Sequence, residues 1–164
     1  MPEAFGTLVI KAPERILQGL SKSDDGVGWD AMTELFKFSG IDSIKNSHDM
    51  LEYAYEGEDF SHEGIELRAG LLEVVIFGDE WMYIAQALIK KGKNIDIYGR
   101  ISHEHGVTEF YAFNDEGVSY LESIDYEGDV NVDREDEIVA EWLSKVPNNV
   151  KKVFPEAFID SDSE

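Results

Sequence analysis

Two kinds of apolar spacing alternate along the chain, and the switches between them mark its elements. Phe5–Ala12 is an extended run with β-branched residues that stops before Pro13, a residue suited to the first turn of a helix, so a strand followed by a helix is predicted. Pro13–Lys22 places Ile16, Leu17 and Leu20 at helical spacing, and Ser23–Gly28 breaks the pattern with turn residues, which predicts a loop. Trp29–Phe38 repeats the stripe through Trp29, Met32, Leu35 and Phe36, with Gly40 in place as a stop. Asp42–Tyr55 fits a helix only approximately, through Ile44, Met50, Leu51 and Tyr53. Glu56–Gly64, with two glycines and four acids, reads as an exposed loop.

Ile65–Phe77 joins an alternating start to the continuous run Leu71–Phe77, as expected of one strand entering a sheet with a covered face. Asp79 is placed to cap a helix over Trp81–Lys91, in which Ile84, Ala85, Leu88 and Ile89 form a stripe and Lys90 and Lys91 precede Gly92. Asn94–His103 alternates, His105 and Gly106 turn the chain, and Val107–Phe113 supplies a partner strand. Asn114–Gly117 is a second tight turn, after which Val118–Ile124 extends the meander. Asp125–Asp133 reads as an acidic loop, and Glu135–Lys145 as an amphipathic helix through Ile138, Val139, Trp142 and Leu143 that Pro147 ends. The late strands lie too close together for parallel crossovers. The predicted class is therefore α+β, a largely antiparallel sheet with helices on one face. Its span 65–113 resembles half of a ferredoxin-like fold, with Phe5–Lys22 as the start of the other half.

Length and composition narrow the picture. A chain of 164 residues with 43% hydrophobic and 12% aromatic positions has the material for one real core, so a single domain over 1–159 is predicted, with 160–164 as a frayed acidic tail. The absence of cysteine excludes disulfides, a thiolate nucleophile and sulfur-built metal sites. The N-terminus lacks a basic, apolar leader, and no apolar run approaches the roughly 20 residues of a membrane helix. A soluble protein is expected, and the lack of cysteine fits a cytoplasmic location.

Charge changes the picture most. Fourteen Lys and Arg stand against 35 Asp and Glu, a formal charge of −21. Between Lys45 and Arg68 there are seven acids and no base, and between Arg100 and Lys145 thirteen acids against Arg134 alone. Such a surface is repelled by nucleic acid and by anionic membranes, so neither is an expected partner. Self-repulsion at this charge also opposes compaction, and the use that offsets it is steered capture of a basic protein surface. Tyr53, Tyr55, Phe60, Tyr120 and Tyr126 lie within the acidic runs, where an aromatic ring serves either as an interface anchor or as core.

Catalytic and metal signatures are weak. His103-Glu104-His105 has ligand-type side chains, but in a strand the two histidines share one face and Glu104 points away. Asp125–Asp136 alternates oxygen side chains in the manner of a calcium loop, yet its glycine, Gly128, falls at loop position four and Val130 occupies position six. His48 and His62 read as ordinary surface histidines. No nucleophile elbow, zinc-protease helix, P-loop or dinucleotide fingerprint is present. The expectation is a non-enzymatic protein with no cofactor and no metal.

In its size, acidity and lack of cysteine or catalytic motif the chain resembles bacterial immunity proteins, which neutralise nuclease toxins by covering a basic active-site region. The resemblance implies an antitoxin whose partner is a cognate basic toxin domain. The alternative is a phage-type acidic mimic of nucleic acid that blocks a restriction or defence enzyme. The expected partner-binding residues are Tyr55, Glu56, Glu58, Asp59, Phe60 and Glu63 on the first acidic loop, with Asp115, Glu116, Asp125, Tyr126, Glu127 and Asp129 on the turn and loop at 114–129. Both segments are expected to gather near one end or edge of the sheet.

Overall fold

The computed structural model describes residues 4–22, 26–41, 60–78, 80–104, 106–125 and 132–158. In chain order the elements are β1 (Ala4–Lys11), α1 (Glu14–Leu20), β2 (Gly26–Val27), α2 (Trp29–Phe38), β3 (Phe60–Arg68), β4 (Leu71–Phe77), α3 (Glu80–Lys91), β5 (Asp96–His103), β6 (Val107–Phe113), β7 (Ser119–Asp125), α4 (Val132–Lys145), α5 (Asn148–Val153) and a 3-10 turn, Pro155–Phe158. The seven strands form one sheet in the order β2-β3-β4-β1-β5-β6-β7, with every neighbouring pair antiparallel. The protein is thus of the α+β class, as its strand spacing implies.

Helices cover both faces of this sheet, where one covered face was expected. Along β1, Leu8 and Ile10 point to a first face and Val9 to the second, and all three are buried. The first face is covered by α1, α2 and α3, which bring Leu17, Phe36, Trp81 and Leu88 onto Val74, Ile97 and Tyr111. The second is covered by α4, α5 and the 3-10 turn, through Trp142, Val150, Phe154 and Phe158 on Tyr98, Phe110 and Ala112. Trp142 anchors this second layer: its indole N–H donates to the Tyr111 carbonyl at 2.9 Å and its ring meets Phe110 edge-on at 5.3 Å. Burial of a tryptophan with its one donor satisfied contributes a few kcal/mol.

Other departures have local causes. The single strand predicted over Ile65–Phe77 is a hairpin, β3 and β4, closed by Ala69 and Gly70, both with positive φ. Alanine rarely takes that conformation, so the dipeptide carries none of the turn signal of Asn-Gly or Asp-Gly. A bulge between His62 and Gly64 lets β3 begin earlier, at Phe60, with Phe60 and His62 on the same face as Ile65 and Leu67. Two residues of the predicted loop 23–28, Gly26 and Val27, pair with Ser61 and Phe60. Helix α4 starts at Val132, ahead of the predicted Glu135, and Pro147 both ends it and opens α5. The helix predicted over 42–55 and the loop residues 56–59 and 126–131 lie outside the described residues.

Between β1 and β5 the backbones leave no room for a side chain at Gly99. A Cβ added at Gly99 would lie 2.2 Å from the Thr7 carbonyl oxygen and 2.9 Å from the Leu8 Cα. Gly99→Ala is expected to destabilise by about 1–3 kcal/mol, because strand backbone and not a flexible side chain must move. The check is a lower denaturant midpoint at unchanged slope in equilibrium unfolding.

Candidate functional site

Register fixes which segments share an end of the sheet. Pairing of Phe5 with Phe77 and Ser102, of Ser102 with Thr108, of Val107 with Asp125 and of His62 with Ile76 sets the starts of β1, β3 and β6 and the ends of β4, β5 and β7 together. At the opposite end stand Lys11, Arg68, Asp96, Phe113 and Ser119. Phe60, the first described residue after the 56–59 acids, and Asp125, the last before 126–131, therefore belong to the same end. Their strands lie near opposite edges, five strand steps apart, which is about 24 Å at the usual spacing. Asp115 and Glu116 are at the other end, in the β6–β7 turn, so the structure does not bring the turn together with the two loops.

Glu63 and Asp125 are exposed at the first end. Phe60, expected as a partner-facing anchor, is 2% exposed: it stacks on Trp29 at 6.1 Å and meets Trp81 edge-on at 6.3 Å, while the Trp81 N–H donates to the Ser61 carbonyl. Tyr120 is likewise core. Tyr55, Glu56, Glu58, Asp59, Tyr126, Glu127 and Asp129 lie outside the described residues. His62, read as a surface histidine, is 7% exposed, and neither ring nitrogen has a hydrogen-bond partner. His103 ends β5 and Glu104 occupies the following turn, with His105 outside the described residues.

The cations segregate away from the first end. Lys11 and Arg68 close their strands at the second end. Arg15 opens α1 there, and Lys90, Lys91 and Lys93 lead from α3 into the start of β5. The Lys93 N–H donates to the Ser39 carbonyl, which places the last turn of α2, with Lys37, beside them. Lys145, Lys151 and Lys152 follow on α4 and α5, with the Lys151 ammonium donating to the Leu143 carbonyl. Ten of the chain's 14 Lys and Arg are accounted for in this way. Acids at the first end, Glu63, Glu80, Glu104 and Asp125, have fewer cations around them: Arg100, paired with Thr7 on the neighbouring strand, precedes Glu104 by four residues, and Lys22 and Arg134 join this end by chain connection among the described residues.

At the second end, a cleft of about 510 Å³ lies between the end of β1, the start of β5, the β6–β7 turn and the α4–α5 corner. Asn114 builds its floor. Its Oδ1 accepts the backbone N–H groups of Glu116 and Val118, which closes the hairpin turn, and its Nδ2 donates to the Tyr98 hydroxyl at 3.1 Å. Tyr98 donates in turn to Asp96 at 3.2 Å, and Asp115 accepts the Asn94 N–H at 2.9 Å. Burial, with Asp96 adding to it, pushes the Tyr98 hydroxyl up to about 12, so it remains a proton donor across the neutral range. Asp96 is also raised, chiefly by burial and further by Asp115 and Glu116, against the lowering effects of the Tyr98 hydrogen bond and Lys11. This cleft offers fixed donors and acceptors, and no nucleophile paired with a base lines it among the described residues.

The class defined by this architecture is an α+β protein with a seven-stranded antiparallel sheet covered by helices on both faces. No family model matches the sequence, and no curated protein or solved structure shows significant similarity to it.

A carboxyl raised in the folded state favours folding at low pH and loses that contribution as pH rises from its unfolded value, near 3.8 for Asp96, through its folded one. Asp96→Asn is therefore expected to raise the thermal midpoint at pH 7 and to leave it unchanged at about pH 3, where both forms are neutral. Circular dichroism melts at the two pH values test this.

Proposed function

We propose that the protein is an immunity-type inhibitor that captures a basic protein, a nuclease toxin domain, through the cation-poor end of its sheet. The observation that carries this reading is the division of charge: the acidic stretches before Phe60 and after Asp125 join the sheet at one end, and most of the Lys and Arg side chains sit at the other. A dipolar body of net charge −21 orients a cationic partner as it approaches, and it repels nucleic acid and other copies of itself. The cleft at the second end, which Lys11 shares with Asp96, Asp115 and Glu116, is not the capture surface in this reading. Asp115 and Glu116, at the end of the sheet opposite Glu63 and Asp125, drop out of the binding residues in this reading, while Glu63 and Asp125 stay.

The reading makes a paired prediction. Glu63→Lys with Asp125→Lys and Glu14→Lys with Glu116→Lys alter net charge equally, the first pair at the proposed end and the second at the opposite one. In biosensor measurements against immobilised cationic nuclease domains, the first double variant is expected to lower the association rate about tenfold or more and the second by less than about twofold, with the difference fading above roughly 0.5 M salt. Equal losses from both pairs would favour a mimic that spreads its charge over the whole surface. Retardation of duplex DNA by the protein at moderate salt would overturn the reading.

A further inference from the structure

The second face of the sheet is not covered evenly. Helix α4 runs over β6 and β7, and α5 with the 3-10 turn lies over the second end of the central strands. The remaining quadrant, the first end of β1 and β4, carries Phe5, Thr7, Val75 and Phe77 on this face, and none of the four is buried. Phe5 is 43% exposed, the large hydrophobic side chain of the described residues that stands most open to water. It is paired directly across the strands with Phe77, the rings meeting edge-on at 5.9 Å. An exposed phenylalanine beside a half-buried one on a sheet face is costly in water at about 25 cal/mol per Å² of exposed apolar surface.

The rim of the quadrant is acidic toward β3, while on its β5 side Arg100, paired with Thr7, lies over the Trp142 ring. Glu63 flanks it on β3, with Glu66 and Glu73 as a directly opposed pair further along β3 and β4. Glu66 is ion-paired with Arg68, and burial, then the Glu66 and Glu156 charges, raise the Glu73 carboxyl against the lowering effect of Arg68. Glu104 follows β5 at the same end. An aromatic centre inside a charged rim is the anatomy of a protein interface, in which central rings supply affinity and the rim supplies steering.

We propose that Phe5, Thr7, Val75 and Phe77 form the apolar centre of the docking surface for a cationic protein, which inserts an apolar side chain flanked by Lys or Arg. The inference rests on the proposed capture of a basic partner and adds where its apolar anchor seats. Charge selects this occupant over a second copy. A standard interface engages about 20–30 residues a side, far more than these four, so the rim must contribute. Between two copies the rims repel at −21 apiece, and against a cationic surface they attract.

The test uses the full chain and two fluorescent Lys-rich peptides of equal length and charge, one with a central Trp and one with Ser in its place. Fluorescence anisotropy at low salt is expected to show the Trp peptide bound about tenfold more tightly, which corresponds to roughly 1.4 kcal/mol for the anchor. Phe5→Ser is expected to abolish that difference while leaving the Ser peptide's affinity unchanged. Val75→Ser, on the same quadrant, is expected to act in the same direction, and matched circular dichroism spectra and melts exclude unfolding as the cause. If both peptides bind equally and neither variant matters, the apolar centre is wrong while capture of cationic partners stands. Binding of neither peptide overturns both. A dimer in sedimentation velocity that Phe5→Ser dissociates would assign the quadrant to a second copy and overturn the proposal.

Discussion

Everything in the structure depends on β1 being shared between two cores. It is hydrogen-bonded on both edges, to β4 and β5, and its successive side chains Leu8, Val9 and Ile10 are buried alternately in the first and second layers. Over Leu8–Ile10 the strand is enclosed on four sides and has little room for adjustment, which is why Gly99 lies against its backbone and why apolar residues occupy successive positions there. Helices α1 to α3 pack on the sheet face that Leu8 and Ile10 share, and α4, α5 and the 3-10 turn on the face that Val9 shares. The two layers are thus coupled through a single backbone ladder.

That arrangement fixes the chemistry of the ends. Antiparallel pairing brings the ends of β4, β5 and β7 to the end of the sheet where β1, β3 and β6 begin, and the segments richest in acid meet the sheet there beside Phe60 and Asp125. Helix C-termini run toward the other end in α2, α3 and α4, and Lys37, Lys90, Lys91 and Lys145 sit in their last turns, where the helix dipole favours a cation. Clustering of the cations at the second end therefore follows partly from local helix preferences, and the sheet brings those helix ends together. The same geometry leaves the Phe5 and Phe77 rings at the cation-poor end, where an aromatic centre and an acidic rim coincide.

The candidate site was partly legible. Glu63 and Asp125 were identifiable from acidic runs because charge density is a property of the sequence itself. Phe60 was misplaced because an aromatic ring within an acidic stretch looks the same whether it faces a partner or Trp29 and Trp81. Phe5 and Phe77 passed unnoticed for the converse reason: each sits in an apolar run of a strand covered on both faces, and such a run does not show which residues a helix fails to reach.

Local pattern by itself determined most of the elements: α2 over Trp29–Phe38, α3 ending at Lys91, the strands β5 to β7 and the antiparallel, α+β character. These follow from helical or strand periodicity and from turn residues such as Asn114 and Gly117, all of which act within a few positions. Long-range packing settles that 65–77 folds back at Ala69 and Gly70, that α4 and α5 close the second face, and that the turn at Asp115 lies at the opposite end from Glu63. Each of these depends on strand order and on which face a helix chooses. Those choices are set by burial summed over residues distant in sequence, and no local spacing encodes them.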